Sequence, residues 1–323
     1  MHGVLLLDKP LGLSSNDALQ KAKWLLRAEK AGHTGTLDPL ATGVLPLCFG
    51  AATKFSQLQL DARKTYEAVV RLGQTTSTAD AEGDVLQTRP VEISPARLEA
   101  VTRQFTGSIH QVPPMYSALK RDGKALYEYA RAGIEVEREA RALEVYELKL
   151  TQAIAEYAYP AIKMVASVSK GTYIRTLAED IGEALGCGAH LTALRRTATG
   201  QFRVSQSITL DQLEAMDEDE RLARLLPTES LLADHTVVTL EADNAARFLS
   251  GLRRRGGWAD AQLVAVYGPA GPASVHRSVA LLGSAHVKAH ELIPTRLLSP
   301  IDIQQIAQQL AQHDSSAVLE SNP

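Results

Sequence analysis

A glycine-rich segment near the start of the chain carries the side chain best suited to chemistry. Residues 32–43 read Gly-His-Thr-Gly-Thr-Leu-Asp-Pro-Leu-Ala-Thr-Gly, and Asp38 is the only acidic residue among them. Three glycines and a proline exclude a regular helix or a long strand, so the segment is a shaped loop. Pro39 restricts the backbone of Asp38, which favours a rigidly held carboxylate. Such a group could act as a nucleophile or a base, although Asp before Pro is also a common turn signal.

Few features of the sequence favour a metal- or cofactor-dependent reaction at this carboxylate. Transfer of a phosphate to Asp38 would need a metal ion and usually a second carboxylate, which the loop lacks. The acidic segment 80–84 does not have the EF-hand ligand pattern, so we expect an exposed loop there. Residues 50–54 resemble a phosphate-binding loop only in part, because its second glycine is missing. We therefore expect no metal ion and no cofactor.

Length and composition indicate a globular protein with one large and one smaller domain. The chain has 323 residues, of which 45% are hydrophobic, enough for a substantial core. Its two cysteines, Cys48 and Cys187, have no metal-ligand spacing and fit a reducing compartment. The apolar run at residues 4–7 is too short for a signal peptide or a membrane span. We therefore expect a cytoplasmic protein without a membrane partner.

The charge of the chain is compatible with a nucleic-acid partner. Its formal net charge is −3, from 34 basic and 37 acidic side chains. Residues 301–323 contain three of the acids and no lysine or arginine, so the remainder of the chain is neutral. A neutral remainder predicts local basic patches rather than a uniformly basic surface.

Hydrophobic spacing predicts helices and strands that position the loop. Ser14 to Asn16 supply N-cap residues for a helix over about 17–28. A clear amphipathic helix spans 174–185, where apolar residues recur every three or four positions and Gly186 closes the stripe. A further helix is predicted over about 95–105. The predicted strands span residues 3–7, 64–73, 141–150, 162–169, 263–266 and 279–282.

Residues 111–133 combine aromatic and cationic side chains. Tyr116, Tyr127 and Tyr129 are interleaved with lysines and arginines, which is typical of a surface that stacks bases and binds phosphates. A short amphipathic helix that packs its apolar side chains is the equally favoured alternative.

The pattern changes near residue 229. Short apolar runs alternate with Gly- and Pro-rich turns over about 229–299, which predicts a small β-rich domain with a basic cluster at 253–255. The polar residues 300–323 are expected to form a short helix with a frayed end.

Four motifs in sequence order resemble those of the bacterial TruB family, the tRNA pseudouridine synthases that act on uridine 55 of the T arm. They lie at residues 7–19, 32–55, 111–133 and 169–196, within a similarity that covers about 3–205. One departure is Val168, where bacterial relatives often have cysteine, and it leaves the chemistry intact.

The resemblance implies an α/β core of the α+β type, a pseudouridine synthase domain with a mixed, mostly antiparallel sheet flanked by helices. This catalytic domain would span 1–228, with an RNA-clamping insertion at about 111–141. A PUA-like RNA-binding domain would follow at 229–299, and a polar tail at 300–323.

The resemblance also implies roles for individual side chains. Asp38 corresponds to the essential catalytic aspartate, and Arg175 to the arginine that orients it. His33 would fill the space left by the flipped uridine, while Tyr66, Tyr173 and Leu194 would line the uracil pocket. We further expect RNA contacts from cations near these motifs, namely Lys9, Lys54, Lys120, Lys124, Arg131, Arg195 and Arg196.

The reaction so implied breaks the bond between ribose C1′ and uracil N1 and joins C5 to C1′. It needs neither redox chemistry nor an energy source, so no cofactor is expected. Asp38 could attack C1′, attack the ring, or remove the C2′ proton, and the sequence leaves all three open. The partner is the tRNA T arm, with no obligate protein partner and a monomeric enzyme expected. The alternative function is a tRNA-folding chaperone for which catalysis is secondary.

Overall fold

Two large β-sheets with flanking helices organise the chain. The computed structural model describes residues 1–153, 156–269 and 279–309. No helix in these ranges is both long and apolar enough to cross a membrane.

The first sheet has nine strands and contains the strands next to the candidate loop. Its main order is β1-β3-β12-β4-β11-β10-β7, with β2 paired to β3 and β13 paired to β12. Only β3 and β12 run parallel, and the other pairs are antiparallel. The predicted mixed, mostly antiparallel sheet is therefore confirmed. The strands are β1 Gly3–Lys9, β2 Ala31–His33, β3 Ala41–Phe49, β4 Lys64–Leu72, β7 Gly107–Gln111, β10 Arg141–Gln152, β11 Ala161–Val168, β12 Ala189–Thr199 and β13 Phe202–Arg203.

Helices and two small ribbons surround this sheet. The ribbon strands are β5 Gln74–Thr76 with β6 Val85–Thr88, and β8 Lys120–Arg121 with β9 Lys124–Ala125. The helices are α1 Ser15–Leu25, α2 Pro95–Gln104, α3 Leu126–Arg131, α4 Ile174–Leu185, α5 Leu210–Ala215 and α6 Glu218–Ala223. The predicted helix over 17–28 thus starts and ends earlier, because Ser14 caps it and the backbone turns left-handed at Arg27.

The second sheet lies within the predicted β-rich part of the chain. Its order is β14-β16-β17-β18-β15, and it includes both strands predicted there. The elements are β14 Thr236–Thr239, α7 Ala242–Leu249, β15 Arg254–Arg255, β16 Ala261–Pro269, β17 Val279–Lys288 and β18 Glu291–Leu297. Residues 300–309 are helical, and the rest of the predicted polar tail lies outside the described residues.

The strands β1 and β3 are buried on both faces, which explains their almost continuous apolar sequences. Leu5 and Leu7 belong to a core shared with α1 and α4, whereas Val4 and Leu6 belong to a second core shared with the C-terminal sheet. Because successive side chains of a strand point to opposite faces, one strand serves both cores. Burial on both faces holds β1 and β3 in place. The end of β1 at Lys9 pairs with Gly43, where the candidate loop ends.

Gly43, at the end of the candidate loop, permits the close contact between β3 and β12. Its φ is +105°, and a Cβ there would lie 2.2 Å from the carbonyl oxygen of Arg196. Gly12 also has a positive φ, +85°, but a Cβ at Gly12 would have no neighbour within 4 Å.

We expect Gly12→Ala to lower the free energy of unfolding by about 1–2 kcal/mol, the ordinary cost of a left-handed alanine. Gly43→Ala should cost clearly more, because the clashing atom is backbone and the two strands must separate. Urea unfolding of both variants measures the difference. Equal losses would contradict the role of Gly43 in strand contact.

Candidate active site

A cleft of about 330 Å³ opens beside Asp38. It lies on the face of the first sheet that carries α1 and α4, and its walls come from widely separated parts of the chain. The lining includes Gly35 to Asp38 from the loop, Lys64 and Tyr66 from β4, Ser117 to Leu119, Ser169 to Arg175, and Leu194 and Arg196 from β12.

Asp38 forms an ion pair with Arg175 in this cleft. The distance from Arg175 Nη2 to Asp38 Oδ2 is 3.0 Å. The Arg175 side chain is only 7% exposed, whereas that of Asp38 is 44% exposed. The arginine therefore holds one carboxylate oxygen from inside the protein and leaves the carboxylate open to a substrate.

A second carboxylate, Asp80, holds the other side of the same guanidinium. Arg175 Nη1 lies 3.2 Å from Asp80 Oδ2, and the Asp80 side chain is 3% exposed. Asp80 Oδ1 accepts hydrogen bonds from Thr78 Oγ1 at 2.5 Å and from the Glu82 backbone amide at 3.1 Å. The expectation of an exposed loop at 80–84 is therefore wrong for Asp80, which is buried because it is bound to Arg175.

Two backbone carbonyls complete the coordination of the guanidinium. Arg175 donates to the carbonyl of Thr78 at 3.2 Å and to that of Tyr116 at 2.7 Å. Four acceptors in fixed directions leave the planar guanidinium one orientation. The arrangement presents Asp38 in a single position.

Aromatic and apolar side chains form the rest of the cleft. Tyr66 is 8% exposed and points to the core face of β4, and Leu194 lies on β12 directly opposite Ala68. Tyr173 immediately precedes α4, and its backbone amide donates to Gln111 Oε1 at 3.1 Å. Burial raises the pKa of Tyr173, so its phenol stays protonated at neutral pH. The structure thus brings Asp38, Tyr66, Tyr173, Arg175 and Leu194 together around one cleft.

His33 lies at the end of β2, at the start of the loop, and is not among the residues lining the cleft. The amide of Gly35 lies 3.4 Å from His33 Nδ1. Burial, and to a smaller degree the charge of Arg196, lower the pKa of His33. Its imidazole is accordingly neutral at pH 7.

Lys9 and Arg196, for which RNA contacts are predicted, are both buried rather than at the protein surface. Lys9 has no exposed surface and donates from Nζ to the carbonyls of Pro10 at 2.8 Å and Leu13 at 2.6 Å. Arg196 is 1% exposed and donates to the carbonyl of Val44 at 2.8 Å. Lys9 thus holds the turn at residues 10–13, and Arg196 holds the backbone of β3.

The other predicted RNA-binding cations differ in accessibility. Lys54 is bonded to Asp302 at 2.8 Å and Arg195 to Asp8 at 2.6 Å, so both are occupied by carboxylates of the same chain. The remaining three, Lys120, Lys124 and Arg131, are exposed in the segment predicted to be an insertion, residues 111–141. Within the insertion, Lys124 lies over the ring of Tyr129 and Arg131 over that of Tyr127, 4.9 and 5.2 Å from the centroids. RNA contact by these three stays a prediction.

Sequence reasoning missed Asp80 and Lys64, and it had no signal for either. Asp80 is one of three acids in a short segment, and nothing local distinguishes the buried one. Lys64 precedes the predicted strand residue Tyr66 by two positions and shares its face of β4. Among the described residues, no group of three or more His, Cys, Asp and Glu side chains is arranged to hold a metal ion.

Comparisons with known proteins place the chain in one family of enzymes. The family model "TruB family pseudouridylate synthase (N terminal domain)" matches residues 23–174, and "tRNA pseudouridylate synthase B C-terminal domain" matches 175–233. A protein of Verminephrobacter eiseniae named tRNA pseudouridine synthase B is 62% identical over 99% of this chain and 96% of its own length. A Ralstonia pickettii protein of the same name is 56% identical over 92% of this chain and 94% of its own.

The fold has relatives among solved structures. A chain in the crystal structure of a Cbf5-Nop10-Gar1 complex superimposes with a TM-score of 0.67 at 26% identity. The match covers 93% of this chain and 86% of that one.

The buried Lys9 gives the stability of the protein a defined pH dependence. Burial lowers its pKa to about 8, whereas an unfolded lysine titrates near 10.4. Between these values the unfolded chain binds more protons at Lys9 than the folded chain, so the free energy of unfolding rises with pH. Lys64, with a pKa also lowered to about 8, acts in the same direction. Cys48, with a pKa raised by burial to about 12, acts in the opposite one.

We expect the difference in unfolding free energy between wild type and Lys9→Met to grow in favour of wild type from pH 8 to 10. Subtracting the two curves removes the contributions of Lys64 and Cys48, which both proteins share. Urea unfolding at several pH values provides the curves. A pH-independent difference would show that Lys9 titrates normally in the folded protein.

Proposed function

The chain belongs to the TruB family of pseudouridylate synthases, and we propose that it converts uridine 55 in the T loop of tRNA to pseudouridine. The carrying observation is the half-exposed carboxylate of Asp38, fixed by the buried Arg175 at one end of a cleft with aromatic and apolar walls. High identity to relatives named tRNA pseudouridine synthase B along nearly the full chain supports the same activity.

The geometry suits an isomerisation that needs the target base outside the RNA stack. Enzymes that act on a base or its glycosidic bond must first extrude the nucleotide from the stack. The ring of Tyr66 and the side chain of Leu194 offer apolar surface for a uracil. The neutral His33 at the start of the loop would fill the space that the base leaves in the RNA.

Asp38 is the residue proposed to react with the extruded nucleotide. Attack on C1′, attack on the ring and removal of the C2′ proton all require an ionised carboxylate in a fixed position. The contact with Arg175 favours both conditions, because a charge-assisted hydrogen bond holds the oxygen and stabilises its negative charge. Asp80 acts through Arg175 and is therefore a positioning residue.

The remaining elements are proposed to hold the tRNA. The insertion at about 111–141 carries exposed cations and tyrosines next to the cleft, which it borders through Ser117 to Leu119. We propose that 1–228 is the catalytic domain and 229–299 a PUA-like domain that adds further RNA contacts, with exposed Arg253 and Arg255 sharing one acid, Glu291. Residues 300–323 are proposed as a separate tail.

The protein is proposed to act as a monomer in the cytoplasm.

Asp38→Asn should abolish pseudouridine formation on a T-arm stem-loop, since the amide is neither a nucleophile nor a base. Binding of the RNA should change little, because the side chain keeps its size and hydrogen-bonding position. Product mapping and a binding titration on the same RNA separate the two effects. Activity above trace would contradict the assigned role.

Asp80→Asn should lower kcat by roughly a hundredfold through misplacement of Arg175 and Asp38, with little change in KM. Asp84→Asn is the matched control, because Asp84 lies in the same loop and is exposed. Steady-state kinetics on the stem-loop measure both constants. Equal rates for the two variants would remove Asp80 from the site, and a raised KM with unchanged kcat would assign it to substrate binding instead.

A further inference from the structure

The cleft carries more positive charge than its chemistry at Asp38 requires. Among the described residues that line it, Asp38 is the only acid, against four cations: Lys64, Lys170, Arg175 and Arg196. Two of these have clear internal roles, since Arg175 is matched by Asp38 and Asp80, and Arg196 holds the backbone of β3. The other two, Lys64 and Lys170, make no contact with Asp38 or Arg175 among the contacts of the described residues.

Lys64 is a buried cation at the catalytic loop. Its Nζ donates to the carbonyls of Leu60 at 3.0 Å and Ala62 at 2.8 Å. In the described ranges no carboxylate forms an ion pair with it. The Lys64 side chain borders the loop that holds Asp38. If Gly35 carried a Cβ, that atom would lie 3.7 Å from Lys64 Cε. A buried ammonium without a paired acid is costly, and an anion in the cleft would offset that cost.

Lys170 lies at the mouth of the cleft on the same wall. It follows β11 in the turn that leads to α4, and its Nζ is 2.6 Å from Asp61 Oδ1. The side chains are 57% and 77% exposed, respectively. An ion pair this exposed contributes little stability, so Lys170 can exchange Asp61 for another anion at small cost. The N-terminus of α4, which adds positive potential, begins four residues later.

The proposed substrate supplies such an anion. A uridine that leaves its stack carries its flanking phosphates toward the cleft, because they are bonded to the ribose that must reach Asp38. A phosphate has three or more lone pairs available to ammonium donors, and lysine binds it as a point charge.

We propose that Lys64 and Lys170 form a subsite for the phosphodiester next to the target uridine. Lys170 leaves Asp61 and contacts the phosphate oxygens, while Lys64 contributes a fixed charge behind them. This proposal rests on the proposed function, since it names the part of the RNA that the same cleft binds.

The test uses T-arm stem-loops in which one phosphate flanking the target uridine is replaced by an uncharged methylphosphonate. For wild type, we expect one of the two replacements to lower kcat/KM roughly tenfold. For Lys170→Gln, kcat/KM on the unmodified RNA should already be lowered by the same factor. The methylphosphonate that affects wild type should lower it little further. Lys64→Met should behave in the same way if it folds, and Lys170→Gln, at an exposed position, keeps the test valid if it does not.

Lys163→Gln is the matched control, because this exposed lysine also pairs with a single carboxylate, that of Glu156, and does not line the cleft. It should respond to the methylphosphonate as wild type does. The slope of log Kd against log salt concentration should fall by about 0.7–0.9 in Lys170→Gln, the change expected for the loss of one phosphate contact. The slope should stay unchanged in Lys163→Gln. Asp61→Asn should tighten RNA binding a few-fold by releasing Lys170.

A full additional loss in Lys170→Gln on methylphosphonate RNA would overturn the subsite, as would an unchanged kcat/KM of wild type on both modified RNAs. Failure of the proposed function has a different signature. In that case, wild type would form no pseudouridine on the unmodified stem-loop.

Discussion

The active site depends on one buried guanidinium. Arg175 is 7% exposed at its side chain, and it is surrounded by two carboxylates and two backbone carbonyls. A buried charge is tolerated only when its partners are well placed, so the position of Arg175 constrains the loops that supply them. Three separate loops meet there, carrying Asp38, Asp80 and the carbonyl of Tyr116. The reactive carboxylate is thus positioned by the same contacts that make the buried arginine stable.

The sheet supplies the rigidity that this arrangement requires. β3 follows the loop in the chain, and β4 lines the cleft across from it. β12 lies between these two strands and is hydrogen-bonded to both, so Leu194 and Arg196 reach the cleft from a strand that is held on both sides. α4 places Arg175 in its first turn and buries its apolar stripe against the sheet. The other lining residues, Ser117 to Leu119 and Ser169 to Tyr173, lie outside the sheet in connecting segments. Residues that must keep sub-ångström positions lie on regular elements or are bonded to them.

Much of this could be predicted from the sequence where local periodicity determines burial. The predicted strand over 64–73 and the helical stripe over 174–185 match β4 and α4 within a residue, because each element has one face in the core. The motif resemblance implied the meeting of Asp38 with Arg175, which spacing alone does not. Asp80 was missed because its burial follows from Arg175 and from a backbone contact of its neighbour Ala79 with Leu191, far away in the chain. Lys9 was assigned to the surface because its type and its turn favour exposure, whereas its ammonium folds back onto two carbonyls.

The double burial of β1 makes the two ends of the polypeptide interdependent. Val4 and Leu6 belong to the same core as residues of the C-terminal sheet, and His2 is hydrogen-bonded to Gln305 and Gln309. A ribosome therefore releases the first strand long before the segments that cover its second face exist. Such pairings have a high contact order, which slows folding and leaves apolar surface open in the meantime. The core on the second face of β1 is completed only after synthesis of the helix at residues 300–309, which contributes Ile303, and a nascent chain stalled before this point exposes a strand of leucine and valine to chaperones.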